Sequence, residues 1–124
     1  MSKNIILIAF FSAVIVLGVI EMNYVQSQFK FFEQQLEQAS QQVIDEDSDT
    51  HHIDEIVQWW RQQKKTFHSF IPHNEIKDID SLLMETRSFI ISERFDLARA
   101  RLEKLLSYAK NIPGTFSPHF ENIF

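Results

Sequence analysis

The densest run of chemically capable side chains is Asp45, Glu46, Asp47, Asp49, His51, His52, Asp54 and Glu55, with enough carboxylate oxygen and imidazole nitrogen for a divalent cation. The spacing does not serve one. Adjacent histidines point about 100° apart on a helix, and neither a His-Glu-x-x-His zinc pattern nor a calcium loop with glycine at its sixth position is present. Carboxylates at a helix start favour the positive end of the dipole by ~0.3 to 1 kcal/mol each. The run is therefore expected to be a solvated helix start, and no metal site is assigned. His68 and His73 flank Pro72 with Glu75 and Asp78 nearby, which offers acid, base and ligand groups. No serine, cysteine or lysine stands in a nucleophile motif, and no glycine-rich loop is available to hold a phosphate or cofactor. His73 is expected to be a turn or capping residue. No catalytic residue and no cofactor is assigned, and the chain is not expected to be an enzyme.

Arg61, Lys64 and Lys65 form a basic cluster that reads first as a solvated helix face. Placed near a bilayer, it would gain about 1 kcal/mol per charge from anionic headgroups. Trp59 and Trp60 cannot both face one core, so Trp60 is expected inside and Trp59 as a semi-exposed contact. Arg99 with Glu103 at i, i+4, and Asp96 with Arg99 at i, i+3, read as local pairs worth about 0.2 to 0.5 kcal/mol each.

These groups must be positioned by a short chain: 124 residues, with 12 basic against 17 acidic side chains and net charge −5. That balance argues against nucleic acid as a partner, because phosphate binding needs a basic surface. Zero cysteines exclude disulfides and thiolate metal sites, so a small domain must be held by its core, the membrane or a partner.

Ile5 to Ile20 is an uninterrupted apolar run, extended past Glu21 by Tyr24 and Val25, and it approaches the ~20 residues a helix needs to cross a bilayer. A cleaved secretory signal is the competing reading. Leu17-Gly18-Val19-Ile20-Glu21-Met22 places large side chains where a signal peptidase requires small ones, which favours an uncleaved anchor. Lys3 and the amino terminus outweigh the mixed flank of Glu21, Lys30, Glu33 and Glu37. By the positive-inside rule the N-terminus is expected in the cytoplasm and the remainder outside the cell membrane, in a single pass.

The fold class is all-α. Between Val19 and Pro113 there is no glycine and only one proline, Pro72, and apolar residues recur at helical spacing. Val25, Phe29, Phe32, Leu36, Ala39 and Val43 continue the transmembrane helix as a stripe into an antiparallel bundle of three to four helices. A second helix carries Ile53, Ile56, Val57, Trp60 and Phe67. A third, capped by Asn74, carries Ile76, Ile79, Leu83, Phe89 and Ile90. After Ser92-Glu93-Arg94 a fourth carries Phe95, Ala98, Leu102, Leu105, Leu106 and Ala109, and Asn111, Pro113 and Gly114 are expected to stop it. The expected division is residues 1–24 as anchor, 25–112 as extracytoplasmic bundle and 113–124 as a short apolar C-terminal tail. In an up-and-down bundle that tail returns to the bilayer, so Phe116, Phe120, Ile123 and Phe124, with Trp59, are the candidate partner or membrane contacts.

The run Phe67-His68-Ser69-Phe70-Ile71-Pro72-His73-Asn74-Glu75-Ile76-Lys77-Asp78-Ile79-Asp80, the later Leu102-Glu103-Lys104-Leu105-Leu106 and the closing Asn122-Ile123-Phe124 resemble the bacterial family catalogued as domain of unknown function 4363. The resemblance implies a small protein with an N-terminal membrane helix and a helical remainder. It implies no activity and no catalytic residues. Three function classes follow. The first is a non-enzymatic interaction or accessory subunit binding a membrane or envelope protein. The alternative is a membrane-tethered ligand-binding or sensory bundle acting through a partner. A hydrolase or metal protein comes last, since no site chemistry supports it.

Overall fold

The computed structural model describes residues 2–69 and 71–116, with side chains through Pro113. Four helices follow in order: α1 (Ser2–Ile44), α2 (His51–Phe67), α3 (His73–Ile91) and α4 (Phe95–Phe116). No strand occurs among the described residues.

α1 is one unbroken helix of 43 residues, about 65 Å long at ~1.5 Å per residue. Its two halves have opposite surroundings. From Ile5 to Ile20 the large apolar side chains are exposed, Ile5 at 66% and Ile20 at 57%. From Val25 onward the stripe Val25, Phe29, Phe32, Leu36, Ala39 and Val43 is buried, on the expected 4, 3, 4, 3, 4 rhythm. By length and composition α1 is apolar enough to cross a membrane.

Side-chain bonds fix the direction of each neighbour. His52 Nε2 lies 3.0 Å from the Gln35 carbonyl, and the Tyr24 hydroxyl donates to Gln63 Oε1 at 2.6 Å, so α2 descends as α1 rises. Arg87 bonds Asp54 and Trp60 bonds Asp80, making α3 antiparallel to α2. Arg101 bonds Glu85 and Tyr108 bonds Asp78, making α4 antiparallel to α3. α1 is flanked by α2 and α4, and α3 by the same two helices. The result is an up-and-down four-helix bundle in which α4 runs back towards Val25.

Its core is apolar and well filled. Phe32 lies 5.2 Å from Trp59 and 5.8 Å from Trp60, and Phe29 lies 4.9 Å from Phe67, centroid to centroid. These separations fall in the range where aromatic pairs gain ~0.5 to 1.5 kcal/mol beyond area burial. Opposite this aromatic block, Ala98, Leu102, Leu105, Ala109 and Ile112 are buried on α4. Leu82 and Thr86 join the core from α3, and the Thr86 hydroxyl, fully buried, donates to the Leu82 carbonyl at 2.7 Å.

Two turns close without glycine. At the end of α1, Glu46 adopts φ 55°, with Glu46 N bonded to Val43 O and Asp47 N to Gln42 O. At the end of α3, Glu93 adopts φ 58°, with Glu93 N bonded to Ile90 O and Arg94 N to Phe89 O. Both are Schellman closures carrying glutamate where glycine is usual.

Two expected helix ends differ from those observed. α3 begins at His73, two residues before the start that a cap at Asn74 would give. Pro72, at φ −55° and ψ 142°, is the preceding residue, and its carbonyl accepts from both Glu75 and Ile76. Pro72 is extended and cannot lie within the helix on that approach, so the backbone turn itself starts α3 and Asn74 falls inside the first turn. α4 is not stopped by Asn111, Pro113 and Gly114 but runs through them to Phe116. Proline removes one N–H and strains the turn before it. The buried Ala109 and Ile112 hold that turn against the bundle, so the helix continues.

Candidate functional site

A half-open groove of about 610 Å³ lies between α3 and α4. Two cross-helix bonds frame it. The Tyr108 hydroxyl donates to Asp78 Oδ2 at 2.7 Å, and Arg101 Nε donates to Glu85 Oε2 at 2.6 Å. Asp78 and Glu85 stand seven residues apart on α3, as Arg101 and Tyr108 do on α4, so two successive turns of one helix meet two of the other. Arg101 also lies 5.6 Å over the Phe89 ring, within cation–π range. Glu75, Ser81, Lys104, Ser107 and Asn111 complete the polar lining, and Leu82 and Ile112 its floor.

The Tyr108 phenol is pushed above its ordinary pKa, first by its hydrogen bond to Asp78, then by desolvation and by the charges of Asp78 and Glu75. At neutral pH it is a hydrogen-bond donor and no base. The groove thus presents one acidic end at Glu75 and Asp78 and cations at Arg101 and Lys104. Such a lining suits recognition of a polar or charged group.

A second polar constellation locks α2 to α3. Asp80 accepts the Trp60 indole N–H at 2.6 Å through one oxygen and the Lys64 ammonium at 2.8 Å through the other. Two turns away Arg87 meets Asp54 at 2.6 Å. Burial pulls the Asp54 carboxyl upward and is the largest single influence. The hydrogen bonds from Arg87 and Thr50, with the charges of Arg87 and His51, together outweigh it, and the pKa is lowered.

The acidic and histidine run from Asp45 to Glu55 is dispersed by the fold. Asp47 and Asp49 accept from the backbone N–H of Asp49 and His51, His51 pairs with Glu55 at 3.0 Å, and His52 reaches Gln35. Among the described residues no three His, Cys, Asp or Glu side chains are grouped to hold a metal ion. His68 and His73 do come together, their rings 5.9 Å apart and nearly parallel, but both are exposed and neither lines the groove. The Arg61, Lys64 and Lys65 cluster is split, with Lys64 turned to Asp80. Trp60 is buried at 1% exposure while Trp59 is half-buried beside Phe31, at 5.4 Å between ring centroids. Arg99 and Glu103 pair at 3.7 Å. Phe120, Ile123 and Phe124 lie outside the described residues, as does the Phe116 side chain at the end of α4.

Tyr108 and Arg101 were not among the residues the sequence singled out. The available signal was the matched seven-residue spacing of Asp78 and Glu85 with Arg101 and Tyr108, which becomes informative only once the two helices are known to be antiparallel.

An apolar helix continuing without a break into a four-helix bundle, with a polar groove between its last two helices, defines the class as a helical bundle carried on a long apolar helix. Within that class the chain belongs to the family described as Domain of unknown function (DUF4363), whose model matches residues 19–123. That match starts near the end of the apolar run and covers the whole bundle. No curated protein and no solved structure matches the chain.

Proposed function

We propose that this chain is a single-pass protein of the cell membrane, N-terminus cytoplasmic, whose extracytoplasmic bundle is a non-enzymatic interaction or accessory subunit for another membrane or envelope component. The observation that carries the reading is the continuity of α1. Exposed apolar side chains from Ile5 to Ile20 require a nonaqueous surrounding, while the same helix supplies the core stripe from Val25 to Val43. A rigid helix so shared passes any tilt or rotation in the bilayer directly to the bundle. Lys3 ahead of the run, against Glu21 just after it, supports the orientation. Alkaline carbonate washing tests the anchor: the chain stays in the membrane fraction with residues 1–20 intact by mass spectrometry. A mature N-terminus near Asn23 contradicts it. Crosslinking pull-down from native membranes then identifies the partner.

The α3–α4 groove supports a second reading, a tethered bundle that binds a small polar ligand and acts through a partner. Its volume and mixed lining of Glu75, Asp78, Lys104 and Tyr108 are of the kind that fix the orientation of a charged molecule. Tyr108→Phe and Lys104→Gln separate the two readings. Loss of a ligand-induced rise in melting temperature supports ligand binding, and loss of crosslinking without such a ligand supports the interaction subunit.

A further inference from the structure

α2 and α3 meet along a second groove, on the side of α3 away from the first. Two pockets of about 230 and 380 Å³ share Val57, Arg61 and Met84 and so form one groove. Its other charged side chains are bonded pairs, Lys64 to Asp80 at 2.8 Å and Arg87 to Asp54 at 2.6 Å. Arg61 stands between the two pairs, exposed, and its side chain makes no hydrogen bond or ion pair with a described residue. The lining therefore holds three cations against two acids.

The flanks add to the excess. Lys65 lies four residues past Arg61, and Lys77 lies three before Asp80 and seven before Met84, so helical spacing puts both on this face. The remaining acids of the two helices face elsewhere: Glu75, Asp78 and Glu85 line the α3–α4 groove, and Glu55 lines a hollow against Phe31 of α1. Asp47, Asp49 and Glu93 lie in the turns beyond Asp54, at the far end. Five cations thus stand against Asp54 and Asp80, a local charge of +3 on a chain of net charge −5.

This charge is drawn out in a line. From Asp54 to Lys65 the strip follows α2 for eleven residues, about 16 Å at ~1.5 Å per residue. Beneath it the floor is apolar, with Val57 and Leu83 buried and Met84 42% exposed. An unbranched thioether adapts to the side chains laid on it. A cationic line over such a floor matches an acidic segment with one apolar side, in the manner of a helix in a groove. A bilayer at one end of the bundle would meet only the end of the strip.

We infer that the α2–α3 groove is the docking face for an acidic amphipathic segment of a partner protein, with a carboxylate of that segment on Arg61 and its apolar side on Val57, Leu83 and Met84. The occupant follows from charge complementarity and from the length of the strip, and this face presupposes the reading of the chain as an interaction subunit. A planar guanidinium without an internal partner is suited to take a carboxylate through two parallel N–H bonds.

The test uses the full chain in discs of phosphatidylcholine and a fluorescein-labelled peptide of twelve residues, with leucine at i, i+4 and i+7 and glutamate elsewhere. Fluorescence anisotropy should show binding that weakens in raised salt, and at least about tenfold weaker binding of the twin with glutamine for glutamate. Arg61→Glu should weaken the acidic peptide by a similar factor at unchanged melting temperature, and Lys30→Glu, the same charge change on the outer face of α1, should not. Equal binding of the two peptides, or equal effects of the two substitutions, overturns the inference. In native membranes, a benzophenone amino acid in place of the exposed Gln58, which lines this groove, should crosslink on illumination to an acidic peptide of another protein, and Arg61→Glu should abolish the adduct. An adduct with lipid or with a second copy of the chain overturns it. A protein partner captured by general crosslinking but not from Gln58 overturns this face alone, whereas no protein partner by either route overturns the interaction-subunit reading with it.

Discussion

Trp60 gives its indole N–H to Asp80 at 2.6 Å, so the largest fully buried side chain of the bundle is tied across the α2–α3 interface by a half-buried acid. Asp80→Ala leaves that N–H without its acceptor and frees Lys64, and the expected loss is about 1 to 3 kcal/mol. Asp80→Asn keeps an acceptor and should lose less. Denaturant titration of the detergent-solubilised chain, followed by tryptophan fluorescence, checks the order; an Asp80→Ala protein as stable as the parent contradicts it.

Leu105 is fully buried on α4, whereas Ile91 at the end of α3 is 53% exposed. Leu105→Ala should therefore cost about 2 to 5 kcal/mol, and Ile91→Ala no more than about 0.5 kcal/mol. Equal losses in a parallel melt would mean the core has been misplaced.

The lowered pKa of Asp54 makes stability depend on acid. Because the folded value lies below the unfolded one, the contribution of the Arg87 pair is fully present above the ordinary carboxylate range and is lost as pH falls through the folded value. The melting-temperature gap between the parent and Asp54→Asn should be constant above about pH 5 and shrink below about pH 4. A gap that instead grows as acid is added would reverse the sign.

With two tyrosines in the chain, Tyr24→Phe leaves Tyr108 as the sole phenol. Its ultraviolet titration should lie above the ordinary tyrosine value, and Asp78→Asn should lower it, since the bond to Asp78 is the first cause of the shift. The raised folded value means this contribution to stability is present below the ordinary tyrosine pKa and disappears as pH rises through the folded one. A midpoint at the ordinary value shows that the groove bond is not formed.

Glu93 holds φ 58° in the closure of α3, a conformation that strains residues with a Cβ. Glu93→Gly should raise the melting temperature modestly, the relief exceeding the added freedom of the unfolded chain, and Glu93→Val should lower it. The reverse order would place the strain elsewhere.

Much of this architecture is legible in the residue pattern because it depends on local periodicity. The faces Val25 to Val43 and Ile53 to Phe67 are buried as their spacing requires, since a helix between aqueous and apolar surroundings has one way to turn. Thr86 escaped notice because a polar side chain satisfies itself on the Leu82 carbonyl and then behaves as core. Pro113 and Gly114 read as a stop because helix-breaking is a local preference, while the packing of Ala109 and Ile112 that overrides it is tertiary. The groove is the least legible part. Tyr108 with Asp78 and Arg101 with Glu85 join residues from two helices, and such pairs follow from register, which no single segment encodes.

Thiol accessibility in intact cells tests the central claim most directly. Single cysteines replace Ser12, within the apolar run, and Ser107, exposed on α4, in the full chain. A membrane-impermeant maleimide should label Ser107→Cys in intact cells from which the outer wall barrier has been removed, and should leave Ser12→Cys unlabelled even after lysis. Labelling of Ser107→Cys only after lysis would contradict the orientation, and labelling of Ser12→Cys in the native membrane would contradict the anchor itself.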